Sequence, residues 1–271
     1  MLVQARPDRL LLVRQHDHAL ASGQLAAAWR GTGGGGARPS FRTVLATALH
    51  DLAWRELDGE PRWNPDTGRP FSFHEHPLEE KLAAYGRGLD RMEEVSPWVG
   101  LAGSLHYASF VDQRGQRGRA GEFLEAERER QRRLAGRLRA RAAGDVDPVG
   151  RVRRELGWLK LFDGLSIRLC LAPPPVPDAS LPAWMDREAP LEAPDGTRLR
   201  LAWEEPGRVR VHPWPFDADV ELELPVRELP AARYPDAAAL RRAWESAGER
   251  SWRLVLSAPD RETSSAIPSE S

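Results

Sequence analysis

Residues 39–52 read Pro39-Ser40-Phe41-Arg42-Thr43-Val44-Leu45-Ala46-Thr47-Ala48-Leu49-His50-Asp51-Leu52. Ser40 is placed to cap a helix, because its hydroxyl can accept one of the backbone N–H groups that a first turn leaves unpaired. Phe41, Val44, Leu45, Ala48 and Leu52 follow at helical spacing, so the segment to about Leu57 is predicted as an amphipathic helix. His50 and Asp51 lie within it. Adjacent helical side chains diverge by about 100°, so both reach one ion only where other helices close around it. A site of that kind draws its ligands from several facing helices rather than from one local motif.

The histidines extend this reading in both directions. Six of the seven precede residue 107, at His16 and His18, His50, His74 and His76, and His106. Upstream, Leu2–Ala5 and Leu10–Arg14 flank Arg6-Pro7-Asp8-Arg9 and predict a small hairpin. A helix from about Asp17 to Trp29 carries His18, which sits farther into it than His16. Gly31 to Gly36 is a surface connector; it has neither the lysine-serine ending nor the preceding buried strand of a phosphate loop.

Downstream, Asp58 to Phe73 is rich in turn signals, and Pro77 to Met92 returns to helical composition. His74 and His76 flank Glu75 in a loop and read as surface groups more than as a ligand pair. Ser96-Pro97 starts a helix to about Phe110, in which His106 shares a face with Val99, Ala102 and Gly103. Glu122 to Arg141 interleaves Glu with Arg, the pattern of a solvated helix laced with ion pairs. A further helix, Val149 to Leu171, holds Asp163 on the face of Leu156 and Leu159. A carboxylate turned to the core costs several kcal/mol unless it is paired, so Asp163 needs a metal or a buried arginine. Cys170, beside Leu169 and Leu171, reads as a small buried hydrophobe.

Ala172 to Pro177 reads as a linker. After it Leu199, Leu201 and Trp203, then Val209 and Val211, then Val220, Leu222, Leu224 and Val226 alternate with polar residues, giving strands with one buried face. Asp236 to Ala247 is predicted as a helix, Trp252 to Leu256 as a strand, and the tail from Pro259 as disordered. Pro213-Trp214-Pro215-Phe216 is expected to dock the β part onto the helices, or else to expose a peptide-binding surface. Trp29, Trp54, Trp98 and Trp158 are expected in the core, with one or two tryptophans at a pocket mouth.

The expected fold is therefore α+β: a mainly α-helical bundle of five to seven helices over residues 1–172, a small β-rich unit over 178–258 packed on it, and a tail over 259–271. The chain has 271 residues, a net charge of −1 and one cysteine, which leaves no field to draw in nucleic acid or an anionic membrane and permits no internal disulfide. Without an apolar N-terminal run or a membrane span, a cytoplasmic protein acting on a small molecule is expected.

The order His18, His50-Asp51, His106 and then Asp163 in Leu161-Phe162-Asp163-Gly164-Leu165-Ser166 is similar to HD-domain metal-dependent phosphohydrolases over roughly residues 15–170. The His-Asp pair departs from many of them in being followed by Leu52-Ala53-Trp54 rather than small residues. Separately, Gln15-His16-Asp17-His18 through Gln24-Leu25-Ala26, the His-Asp helix, Asp66-Thr67-Gly68-Arg69-Pro70 and Pro213-Trp214-Pro215-Phe216 resemble a bacterial domain-of-unknown-function family across most of the chain. The HD-like resemblance implies an HD-like bundle in which His18, His50, Asp51 and Asp163 bind one or two divalent ions of iron, manganese, nickel or zinc. His106 would then bind a second ion or a substrate oxyanion, and Lys160, one turn before Asp163, would neutralise a phosphate. The implied function is hydrolysis of a phosphate ester or nucleotide. An iron oxygenase on the same ligands, or a binding module without chemistry, stands as the alternative.

Overall fold

The computed structural model describes residues 1–32, 36–112, 117–142, 144, 146–173, 181–205 and 207–259. In chain order the elements are β1 (Leu2–Ala5), β2 (Arg9–Val13), α1 (Gln15–Ala28), α2 (Phe41–Leu49), α3 (Trp54–Leu57), β3 (Trp63–Asn64), β4 (Arg69–Pro70), α4 (Leu78–Val95), α5 (Pro97–Asp112), α6 (Gly118–Ala140), α7 (Pro148–Leu171), β5 (Leu191–Glu192), β6 (Arg198–Glu205), β7 (Arg208–His212), β8 (Val220–Pro230), α8 (Ala237–Ser246) and β9 (Glu249–Ser257). Residues 33–35, 174–180 and 260–271, on which most of the expected glycine connector, linker and tail fall, lie outside the described residues.

The expectation of a mainly helical bundle with a small C-terminal β unit is overturned. Helix accounts for 49% of the chain, beside a large curled sheet of seven strands. Its order is β1-β2-β8-β9-β7-β6-β5, and a separate pair is formed by β3 and β4. The hairpin expected at the N-terminus exists, with Leu2 opposite Val13, but its second strand pairs antiparallel with β8, Val13 opposite Val226 and Arg9 opposite Pro230. One sheet thus takes strands from both ends of the chain, and the parallel pairing of β7 with β9 makes it mixed.

Side-chain alternation explains why β2 belongs inside the sheet. Leu11 and Val13 join the core shared with α1 and α7, whereas Leu10 and Leu12 point the other way, into a cluster with Leu240 and Trp244 of α8. A strand buried on both faces reads as a continuous apolar run, which is what Leu10–Val13 is. The inner face of the sheet packs on α1 and α7, and α2, α4, α5 and α6 build a second core beyond them. Phe216 of the Pro-Trp-Pro-Phe segment is buried against Trp29, with ring centroids 6.0 Å apart, and Arg30 N–H donates to the Pro215 carbonyl at 2.8 Å. That segment docks the sheet onto the helices.

Local sequence signals hold at the helix ends. The Ser40 hydroxyl accepts from Thr43 N–H, the Asp147 carboxylate from Gly150 N–H and the Asp236 carboxylate from Ala239 N–H. The helix expected to run to Leu57 instead stops at Leu49 and resumes as α3, with His50 and Asp51 in the intervening turn. Trp29, Trp54, Trp98 and Trp158 are all buried. In α6, Arg130, Arg133 and Arg137 converge on Glu93 of α4.

Helices α1 and α2 approach closely at Gly23, where a Cβ would stand 2.4 Å from Ala48 Cβ. The Gly23→Ala substitution gains helix propensity of about 1 kcal/mol but introduces an overlap that only separation of the helices relieves, at about 1–3 kcal/mol. A net loss is expected, seen as a lower urea midpoint. At Gly136 of α6 nothing lies within 4 Å, so Gly136→Ala should raise the midpoint. Equal behaviour of the two variants would contradict the close approach.

Candidate metal centre

The buried centre of the helical half holds His18 from α1, His50 and Asp51 from the turn after α2, His106 and Tyr107 from α5, and Asp163 and Ser166 from α7. His18 Nε2 lies 2.8 Å from Asp51 Oδ2. His50 Nε2 lies 3.2 Å from Asp163 Oδ1 and 3.5 Å from Asp51 Oδ2. His106 Nε2 lies 3.4 Å from Asp163 Oδ2. The His18, His50 and Asp163 ligand atoms fall within 4.8 Å of one another, so these three side chains could hold a metal ion.

The ring orientations are set from outside. His50 Nδ1 lies 2.7 Å from the Thr47 carbonyl oxygen. A carbonyl only accepts, so Nδ1 carries the proton and Nε2 turns toward two carboxylates. His18 Nδ1 lies 2.8 Å from Ser166 Oγ, which also lies 2.9 Å from the Asp163 carbonyl oxygen and 2.7 Å from Ser22 Oγ. His18 Nε2 faces Asp51. At His50, a lone pair cannot face two carboxylates at these distances without a cation between them, either a proton or a metal. The separations suit a metal: neighbouring ligands at about 2.1 Å from one ion stand roughly 3 Å apart. An imidazole that donates from Nδ1 to a carbonyl and presents Nε2 inward, as His50 does, is also the usual arrangement of a metal-binding histidine.

Without a metal the proton serves. Burial works against a charged His50 ring, but the carboxylates of Asp51 and Asp163 outweigh it and push its pKa up to about 9. For the aspartates burial acts in the raising direction; the His50 ring, then hydrogen bonds from His18 to Asp51 and from His106 and His50 to Asp163, hold Asp51 low and Asp163 well below the usual carboxylate range. Burial depresses His106, so its ring is neutral. Tyr107 donates to Asp51 Oδ1 at 3.2 Å, which leaves Oδ2 for the histidines, and its hydroxyl is raised, first by burial and then by that carboxylate.

A cavity of about 490 Å³ opens onto Asp51, His106, Tyr107 and Asp163. Lys160 also lines it, exposed at the rim, as does Lys81, buried, whose Nζ donates to the Phe73 carbonyl at 3.2 Å. A second cavity, of about 570 Å³, lies between β1 and the Asp66–Pro70 turn and includes none of the cluster.

All six residues expected from sequence thus come to this place, four in the cluster, His106 beside it and Lys160 at the mouth. His16 is half-buried outside the cluster, with its Nδ1 unpartnered, and His76, expected at the surface, is buried beside Glu80, where burial pushes its pKa down to about 4. His74 lines both cavities. Cys170 is buried and its thiol is pushed up by burial, which makes it inert. Tyr107, Lys81 and Ser166 were not anticipated. Ser166 follows Asp163 by one helical turn, which is the signal that would have found it.

Fold and centre together define a protein of helices packed on one mixed, mostly antiparallel sheet, with a buried histidine–aspartate cluster at the floor of an open cavity. The chain belongs to the family described as protein of unknown function DUF3891, whose model matches residues 1–231 and so takes in every cluster residue. No curated protein and no solved structure matches it. Among the described residues no helix is long and apolar enough to cross a membrane.

The pH dependence of the metal-free protein follows from His50. Its folded pKa of about 9 exceeds the unfolded value of about 6.5, so the stabilisation is complete below 6.5 and is lost as pH rises through 9. Asp51 and Asp163 act oppositely, stabilising above the unfolded carboxylate range and losing this as pH falls. Urea unfolding of chelator-treated protein should show up to about 3 kcal/mol less stability at pH 9.5 than at pH 6.5, and His50→Gln should flatten that slope. A profile already flat in the parent chain would remove the imidazolium from this account.

Proposed function

We propose that the cluster is a divalent-metal centre and that the protein hydrolyses phosphate esters there, with His18, His50, Asp51 and Asp163 as ligands. The observation that carries the reading is the His50 ring, pinned through Nδ1 to the Thr47 carbonyl, whose Nε2 faces the buried carboxylates of Asp51 and Asp163, with His18 Nε2 beside Asp51. This ligand set carries a charge of −2, which a divalent ion balances, and its mixture of nitrogen and oxygen suits iron, manganese, nickel or zinc. The order of the ligands along the chain is that of HD-domain phosphohydrolases, which supports the same chemistry. An ion held in this way polarises a phosphoryl oxygen and makes a water acidic near neutral pH.

The chain's own residues supply the rest. Tyr107 holds Asp51 by its outer oxygen and keeps the inner one in place. His106, neutral and bonded through Nε2 to Asp163, keeps a lone pair at its buried, unpartnered Nδ1, which suits a second ion. Lys81 in the wall and Lys160 at the rim offset the charge of a bound phosphate. The apolar walls restrict water around the reacting group.

Elemental analysis of protein purified without a metal-affinity tag tests this first. About one equivalent of iron, manganese, nickel or zinc is expected, absent from the His50→Ala/Asp163→Ala variant, together with a fall of at least about 100-fold in phosphate release. No metal after reconstitution would overturn the reading in favour of a binding module. Oxygen consumption by an iron-loaded protein that releases no phosphate would replace hydrolysis with oxygenase chemistry.

A further inference from the structure

Resting on the metal-centre reading, we infer that Ser166 is a positioning residue whose hydroxyl turns between two acceptors, so that His18 presents an N–H to Asp51 in the metal-free protein and a lone pair to a bound ion. His18, Ser22 and Ser166 are all buried, where α1 meets α7. Ser166 Oγ lies 2.8 Å from His18 Nδ1, 2.9 Å from the Asp163 carbonyl oxygen and 2.7 Å from Ser22 Oγ. Three partners thus surround one hydroxyl, which has one proton to give and two lone pairs to fill. Ser22, whose other acceptor is the His18 carbonyl oxygen at 3.0 Å, can donate to Ser166 whichever way the Ser166 proton points. That proton goes either to the Asp163 carbonyl or to His18 Nδ1.

Occupancy of the cluster decides between the two. His18 Nε2 stands 2.8 Å from Asp51 Oδ2. Without an ion, a lone pair at Nε2 would meet the lone pairs of the carboxylate, so the single proton of a neutral ring belongs on Nε2. Nδ1 is then an acceptor, a buried acceptor left unpaired is costly, and the Ser166 hydroxyl turns to it. With an ion, Nε2 offers its lone pair to the metal and the ring carries its proton on Nδ1. Ser166 Oγ accepts that N–H, and its own proton turns to the Asp163 carbonyl. The ring gives one proton to solvent from Nε2 and takes one from solvent at Nδ1, so its charge is the same in both states. His50 has no such freedom, because its Nδ1 lies against the Thr47 carbonyl, which only accepts. Were His18 backed by a carbonyl as well, the empty cluster would need a second added proton. The hydroxyl removes that need, and it does so without displacing any ligand atom.

Nitrogen-15 NMR of untagged, histidine-labelled protein reads the tautomer directly, with the His18 signals assigned by their loss in His18→Gln. Metal-free protein is expected to show His18 protonated at Nε2 alone, and zinc-loaded protein to show it protonated at Nδ1 with Nε2 on the metal. Ser166→Ala removes only the hydroxyl, and zinc titration of this variant should give an affinity lower by about tenfold or more. The same His18 tautomer in both states overturns the inference and leaves the metal centre standing, as does a doubly protonated ring in the metal-free protein or an unchanged zinc affinity in Ser166→Ala. Zinc binds such ligands more tightly than manganese or iron, so a parent chain that takes up no zinc overturns the metal-centre reading itself.

Discussion

Two carboxylates without water require a cation, and the helical half of this protein is arranged around that requirement. Asp51 and Asp163 are 5% and 7% exposed and sit within 3.5 Å of imidazole nitrogens. Bringing them together unpaired would cost several kcal/mol. His50 does not meet this need as a neutral ring, because it spends its Nδ1 proton on the Thr47 carbonyl. A proton on His50 meets it in part, and a divalent ion meets it in full. The same geometry therefore suits a proton on His50 or a metal ion that the site could hold, and the two would compete for one place: binding an ion would displace the His50 proton.

The sheet gives this cluster its rigidity. Helices α1 and α7, which carry His18 and Asp163, lie between the inner sheet face and the outer helices. Trp29 and Phe162 meet at 5.6 Å on the sheet side of the two helices. Directly between them, Ser22 of α1 and Ser166 of α7 are 2.7 Å apart. A shift of either helix would thus disturb aromatic packing on one side and the His18 hydrogen bond on the other. Ligands carried on such backed helices keep their geometry better than ligands on loops. The exception is His50-Asp51, in the turn after α2, which is held by the Thr47 carbonyl and the Tyr107 hydroxyl instead.

What was legible in the sequence was local. The cap at Ser40, helical spacing and two-residue alternation depend on neighbours within a few positions, and helices and strands form at those places, although the helix begun at Ser40 stops at Leu49. Asp163 was legible because an aspartate on the apolar side of a helix has to find a partner, and His18, His50 and Asp51 because their order with it resembles that of HD-domain proteins. The sheet was not legible as a sheet. Its decisive contact pairs Val13 with Val226, and alternation says that a strand has a buried face without saying which strand lies beside it. Only the unbroken run Leu10–Val13 hinted that the hairpin is covered on both sides. Tyr107 and Lys81 escaped for a different reason: each is an ordinary residue in its own helix and acquires a role only through what α2, α5 and the Phe73 loop bring next to it.

Constraint is distributed unevenly through the site. At the floor, the charge of each group depends on its neighbours, so no member of the cluster can change alone. At the mouth, Phe110, Lys160 and Trp184 are exposed and answer to no such balance. Their replacement leaves no buried charge unpaired. The arrangement of the centre is accordingly fixed by electrostatics, whereas the side chains around its mouth are ones the fold itself does not need.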